Sequence, residues 1–69
     1  MLYFSSIIDA RHHVNLSQAK LAEKTGIDRA DISKIERGLL NPSLRILTRL
    51  AAGMGMRLDI KYVMTGGKE

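Results

Sequence analysis

Two short apolar-periodic segments lie on either side of Gly26-Ile27, and each is opened by a residue that caps helices. Ser17 stands before the first and Asp28 before the second. A side-chain oxygen at such a position accepts from the free N–H groups of the first helical turn. Ala19, Leu21 and Ala22 carry an apolar face through Lys24, and Ile32 and Ile35 do the same in the second segment. Gly26 closes the first segment as a C-cap, since glycine takes left-handed backbone angles at little steric cost. Gly38 stops the second. The reading is a helix over 17–25, a turn at Gly26-Ile27 with Ile27 packed between the helices, and a helix over 28–37.

The rest of the chain supports this pair. With 69 residues there is room for one domain, and a domain of this size buries only about 60% of its unfolded surface. Small folds of this kind often gain stability by oligomerising. From Tyr3 to Val14, Phe4, Ile7, Ile8 and Arg11 recur at spacings of three and four, which predicts an amphipathic first helix ended by Asn15. Leu39 to Ser43 is a connector, and Ser43 caps a fourth helix with Leu44, Ile46, Leu47, Leu50, Ala51 and Met54 on its apolar face. Gly53 and Gly55 weaken its last turn.

The period then changes. Met56, Leu58, Ile60 and Tyr62 alternate with Arg57, Asp59, Lys61 and Val63, the pattern of a β-strand with one buried face. A lone strand cannot satisfy its own backbone hydrogen bonds. Pairing with the same strand of a second copy is the simple remedy, and it assigns Met56, Leu58, Ile60 and Tyr62 to dimerisation. The expected fold is therefore mainly α: four helices and one C-terminal β-strand (56–63) paired across a dimer, forming a single domain over 1–64 with a flexible polar tail at 65–69.

Charge and composition narrow the chemistry. The net charge of +4 favours a polyanionic partner. The chain has no cysteine, so disulfides and cysteine-based zinc sites are excluded. His12 and His13 are adjacent and point to different helix faces, a poor arrangement for a metal. There is no glycine-rich phosphate loop and no legible nucleophile–base pair, so neither an enzyme nor a cofactor is expected. No apolar run approaches the roughly 20 residues of a membrane span. The first residues lack a basic leader. A cytoplasmic, non-membrane protein is the expectation.

Two short capped helices around a glycine form a helix-turn-helix candidate. The stretch Leu16-Ser17-Gln18-Ala19-Lys20-Leu21-Ala22-Glu23-Lys24-Thr25-Gly26-Ile27, followed by Ile32-Ser33-Lys34-Ile35-Glu36-Arg37-Gly38 and then Asn41-Pro42-Ser43-Leu44, resembles the Cro/cI-like (Xre) helix-turn-helix family of transcriptional regulators. The resemblance covers roughly residues 7 to 54 and implies a lambda-repressor-like fold that binds double-stranded DNA. It implies that Gln18 touches the DNA backbone and braces the recognition helix. It implies that Arg29, Ala30 and Asp31 occupy that helix's exposed first turn, with Ser33 and Lys34 one turn on. Arg11 and Glu36 resemble a family pair that forms an internal salt bridge.

The chemistry of these side chains is compatible. Arg29, and after it Lys34, can donate to guanine O6 and N7, and Ala30 can touch a thymine methyl. Asp31 can accept from cytosine N4 or serve only as a first-turn charge on the helix dipole. Arg37, Asn41 and Ser43 suit phosphate oxygens, which position a protein without reading sequence. Lys20, Lys24, Arg45 and Arg49 read as solvated surface. The leading expectation is a dimeric repressor of a palindromic operator. A compact fold of this kind with a terminal strand also resembles HipB-type antitoxins, which implies operon autorepression and a protein toxin as a partner.

Overall fold

The computed structural model describes residues 2–60. Four helices follow one another: α1 (Ile7–His13), α2 (Gln18–Thr25), α3 (Arg29–Glu36) and α4 (Leu44–Gly53). Each begins at a polar cap. Ser6, Ser17, Asp28 and Ser43 accept from the backbone N–H groups of Asp9, Lys20, Ala30 and Ile46 at 3.1, 3.0, 3.2 and 3.2 Å. Each such bond satisfies a donor that the helix itself leaves free and contributes about 1 kcal/mol.

The first helix is shorter than its apolar spacing predicts. Ser6 is extended at φ −137°, ψ 152° and caps α1, so residues 2–4 lie outside the helix. A serine that bonds local backbone competes with helix propagation. Phe4 instead sets its ring 4.9 Å from that of His13, at the far end of α1. There Asn15 takes the left-handed conformation at φ 57°, and the N–H of Leu16 returns to the carbonyl of Arg11 at 3.1 Å. This closes the helix in the manner of a Schellman turn.

Leu21, Ile32 and Leu50 are fully buried, one each from α2, α3 and α4, and Ala10, Ile27 and Met54 complete the centre. Phe4, Ile7, Val14, Leu16, Ile35, Ile46 and Met56 pack around it. Leu44 departs from the expected apolar face of α4, since it is 59% exposed.

The turn is fixed by α2 and α4 meeting closely. A Cβ on Gly53 would stand 2.5 Å from Thr25 Cγ2 and 3.2 Å from Leu21 Cδ1, so only glycine lets the helices approach to this distance. Thr25 is buried; its hydroxyl donates to the Leu21 carbonyl at 2.8 Å and accepts from the Ile27 N–H at 3.2 Å. Arg49 Nη2 donates to the Thr25 carbonyl at 2.6 Å. Gly26 follows at φ 74°, as its C-cap role requires.

The expected strand is corrected. No strand is present among the described residues. Met56 to Ile60 leave α4 as irregular chain, tied back by the Met56 N–H to the Ala51 carbonyl at 2.8 Å. Tyr62, Val63 and the polar tail from Thr65 lie outside the described residues. A strand exists through its hydrogen-bonded neighbour, and residues 56–60 have none among the described residues. The alternation survives only as burial: Met56 and Leu58 are half-buried, Arg57 and Asp59 exposed, and Ile60 is 52% exposed.

Candidate nucleic-acid interface

Helix α3 lies on the core through Ile32, fully buried, and Ile35, half-buried. The 3.6-residue period therefore turns Arg29, Ala30, Asp31, Lys34 and Arg37 outward, and all five are exposed, with Ser33 half-buried beside them. Ala30, Lys34 and Arg37 fall on one stripe at spacings of four and three. Arg29, Lys34 and Arg37 set three cations against the single carboxylate of Asp31 on this face. Among the described residues, the side chains of Arg29, Asp31 and Lys34 make no hydrogen bond or ion pair. Arg37 Nε reaches the Ser33 carbonyl only at 3.4 Å.

The far end of α3 is anchored. Glu36 Oε2 accepts from Arg11 Nε at 2.8 Å, and Glu36 Oε1 accepts from Arg11 Nη2 at 3.1 Å and from Gln18 Nε2 at 2.9 Å. Arg11 Nη1 donates to the Leu16 carbonyl at 2.9 Å. The Arg11 and Glu36 side chains are 11% and 4% exposed. Burial acts to raise the Glu36 pKa, but the hydrogen bonds from Arg11 and Gln18 and the Arg11 charge outweigh it and hold the carboxyl below its ordinary 4.5. The bond to Glu36 in turn raises the Arg11 guanidinium above its usual value, against the opposing effect of burial. One carboxylate thus ties α1, the first residue of α2 and the last residue of α3 together. Gln18 is held by one amide hydrogen and keeps the other free to donate.

Asn41 and Ser43 are exposed at the approach to α4. Ser43 Oγ accepts from Ile46 N, which leaves its hydroxyl hydrogen available. Lys20 is engaged at 3.0 Å with Glu23 on the surface of α2 and lowers that carboxyl's pKa. His12 and His13 are exposed, and no group of three or more potential metal ligands occurs among the described residues. No helix among them is long and apolar enough to cross a membrane.

Thr25, Arg49 and Gly53 were absent from the sequence-derived site, although they hold the end of α2 and the turn that precedes α3. Arg49, read as solvated surface, caps the C-terminus of α2. The available signals were a threonine just before a C-cap glycine and a glycine in an apolar helix where alanine would be more stable.

Residues 7–61 match the helix-turn-helix family model. The chain is 32% identical over 62 residues to an uncharacterized HTH-type transcriptional regulator of Mycobacterium tuberculosis, covering 90% of this chain and 44% of that protein. A regulator of the same description from Haemophilus influenzae is 35% identical over 54 residues, 78% of this chain and 55% of its own length. One from Methanocaldococcus jannaschii is 38% identical over 49 residues, 71% of this chain and 74% of its own. The chain spans about half the length of the first two. No solved structure matches it.

Proposed function

The chain belongs to the Cro/cI-like (Xre) helix-turn-helix family, and from that premise we propose that it is a sequence-specific dimeric repressor that places α3 in the major groove of a palindromic operator. One observation carries this reading: α3 presents unengaged donors along one face while its other end is fixed to two helices through Glu36. A pre-positioned donor set forms base contacts without first ordering its own backbone. In this reading Arg29 and Lys34 donate to guanine, Ala30 meets a thymine methyl and Asp31 accepts from cytosine, with Ser33 beside them. Gln18 offers its free amide hydrogen to a phosphate. Arg37, Asn41 and Ser43 hold the backbone and set the register.

Selection of bound sequences from a random DNA pool tests the proposal. The expected product is a palindrome whose half-sites are about 34 Å apart, one helical turn. Affinity falls steeply with salt as phosphate contacts release counterions. Equal affinity for operator and random DNA would overturn sequence recognition, and a single unrepeated half-site would overturn the dimer.

A further inference from the structure

We propose that Arg45 is a further anchor on DNA, holding a phosphate at the wall of the major groove beside the N-terminal end of α3. This rests on the DNA-binding reading above and adds a contact at the end of α3 opposite Arg37.

The place of Arg45 follows from the way α4 crosses α2. Gly53, Arg49 and Arg45 are four residues apart and form one stripe of α4. At Gly53 the stripe meets the side of α2, where an added Cβ would stand 3.2 Å from Leu21 Cδ1 and 4.0 Å from Lys24 Cβ. At Arg49 the stripe has reached the end of α2. There Nη2 donates to the Thr25 carbonyl at 2.6 Å, and a Cβ on Gly26 would stand 3.2 Å from the same nitrogen. One further turn, about 6 Å along the axis, carries the stripe past α2 and alongside the turn that leads into α3.

Arg45 is the cation at that place. It is exposed and makes no hydrogen bond or ion pair among the described residues. The charges around it are otherwise engaged. Asp28, the carboxylate of the turn, accepts from the Ala30 N–H at 3.2 Å and is thus turned to α3. Arg49 is committed to the Thr25 carbonyl, and Lys20 pairs with Glu23.

The groove decides what such a cation meets. The major groove is about 12 Å wide, and an α-helix with its side chains is about 10–12 Å across, so α3 fills it from wall to wall. A group beside α3 therefore meets the wall, which is phosphate. The guanidinium fork keeps its charge and matches phosphate oxygens in pairs. Arg37 follows Arg29 by eight residues, about 12 Å along the helix. Arg45 and Arg37 thus hold phosphates at opposite ends of α3 and resist its tilting in the groove.

Fluorescence anisotropy of the full 69-residue chain, on the DNA selected from the random pool and across a salt series, tests the anchor. Arg45→Ala should bind about eight-fold more weakly at roughly 0.1 M salt, by the same factor on every sequence. It should also lower the slope of log affinity against log salt by about 0.9, the loss of one phosphate. Arg45→Lys should stay within about two-fold of the parent and keep its slope, because the charge remains. The thermal midpoint of both should lie within about 2 °C of the parent, since the side chain is exposed. Ethylation interference then locates the contact: Arg45→Ala and Arg37→Ala should each become insensitive at a different phosphate. Unchanged affinity and slope for Arg45→Ala would overturn the anchor while leaving the base contacts of α3 intact. A loss confined to one base position would make Arg45 a base reader, and insensitivity at the phosphate of Arg37 would put it at the wrong end of α3; either overturns the inference. A parent chain that binds no DNA would overturn both the anchor and the reading it rests on.

Discussion

The two ends of α3 differ in what they bond to. At its N-terminal end Arg29 and Asp31 are exposed and make no side-chain hydrogen bond or ion pair among the described residues. At its C-terminal end Glu36 is 4% exposed and accepts three hydrogen bonds from two other helices. The difference follows from burial. A polar group removed from water must find a partner within the chain, whereas an exposed one keeps its water and can exchange it for an external partner. One helix of eight residues is thus divided into an end that belongs to the fold and an end left exposed to solvent.

The sharpest way to break this division is to remove the anchor. Glu36→Ala leaves the Arg11 charge buried without its partner and should cost about 4 kcal/mol. The thermal midpoint, followed by circular dichroism, should fall by about 20 °C in a domain of this size. A loss below about 1 kcal/mol would mean that the pair does not hold the helix. The same carboxyl predicts an acid dependence. Its folded pKa lies below the ordinary 4.5, so its contribution is complete above that value and is lost as pH falls through the folded pKa. Glu36→Gln should therefore flatten the decline in stability below pH 4.5, measured by urea unfolding across the acid range.

A smaller effect tests the support behind the turn. Gly53→Ala should destabilise by about 2 kcal/mol, because overpacking against Thr25 and Leu21 outweighs alanine's helix preference of about 1 kcal/mol. A stabilised variant would show that α2 and α4 separate at little cost. At the free end of α3, Arg29→Ala should weaken operator binding by about 1.5 kcal/mol, confined to one base position, and leave the thermal midpoint within about 2 °C. A uniform loss across all sequences would reassign Arg29 to the phosphates. The smallest change expected is Arg49→Ala, which removes the donor to the Thr25 carbonyl and should cost about 1 kcal/mol of stability. Its affinity for DNA, corrected for the unfolded fraction, should be unchanged.

The local features of the fold could be read directly. Ser17, Asp28 and Ser43 stand before apolar-periodic segments, and each caps the helix that follows. Gly26 and Asn15 take the left-handed angles that end helices. Where two local signals compete, the cap prevails: Phe4 continues the apolar spacing of α1, but the Ser6 cap starts the helix at Ile7. The alternation from Met56 was visible as a pattern of side chains, whereas a strand also requires a neighbouring chain. The exposed face of α3 followed from periodicity, since buried Ile32 and half-buried Ile35 fix which residues point outward.

The sequence by itself determined that there are four helices and which residues cap α2, α3 and α4, because these depend on interactions within about one helical turn. Only the tertiary structure decided what those helices meet. Arg11 reaches Glu36 across 25 positions and Gln18 supplies the same carboxylate's third bond across 18, contacts that the family resemblance implied and no spacing did, and Arg49 closes the turn at Thr25 across 24. Gly53 becomes necessary only because α4 crosses α2 at that point. Such contacts depend on which surfaces come together when the core closes around Leu21, Ile32 and Leu50, and no spacing along the chain encodes them.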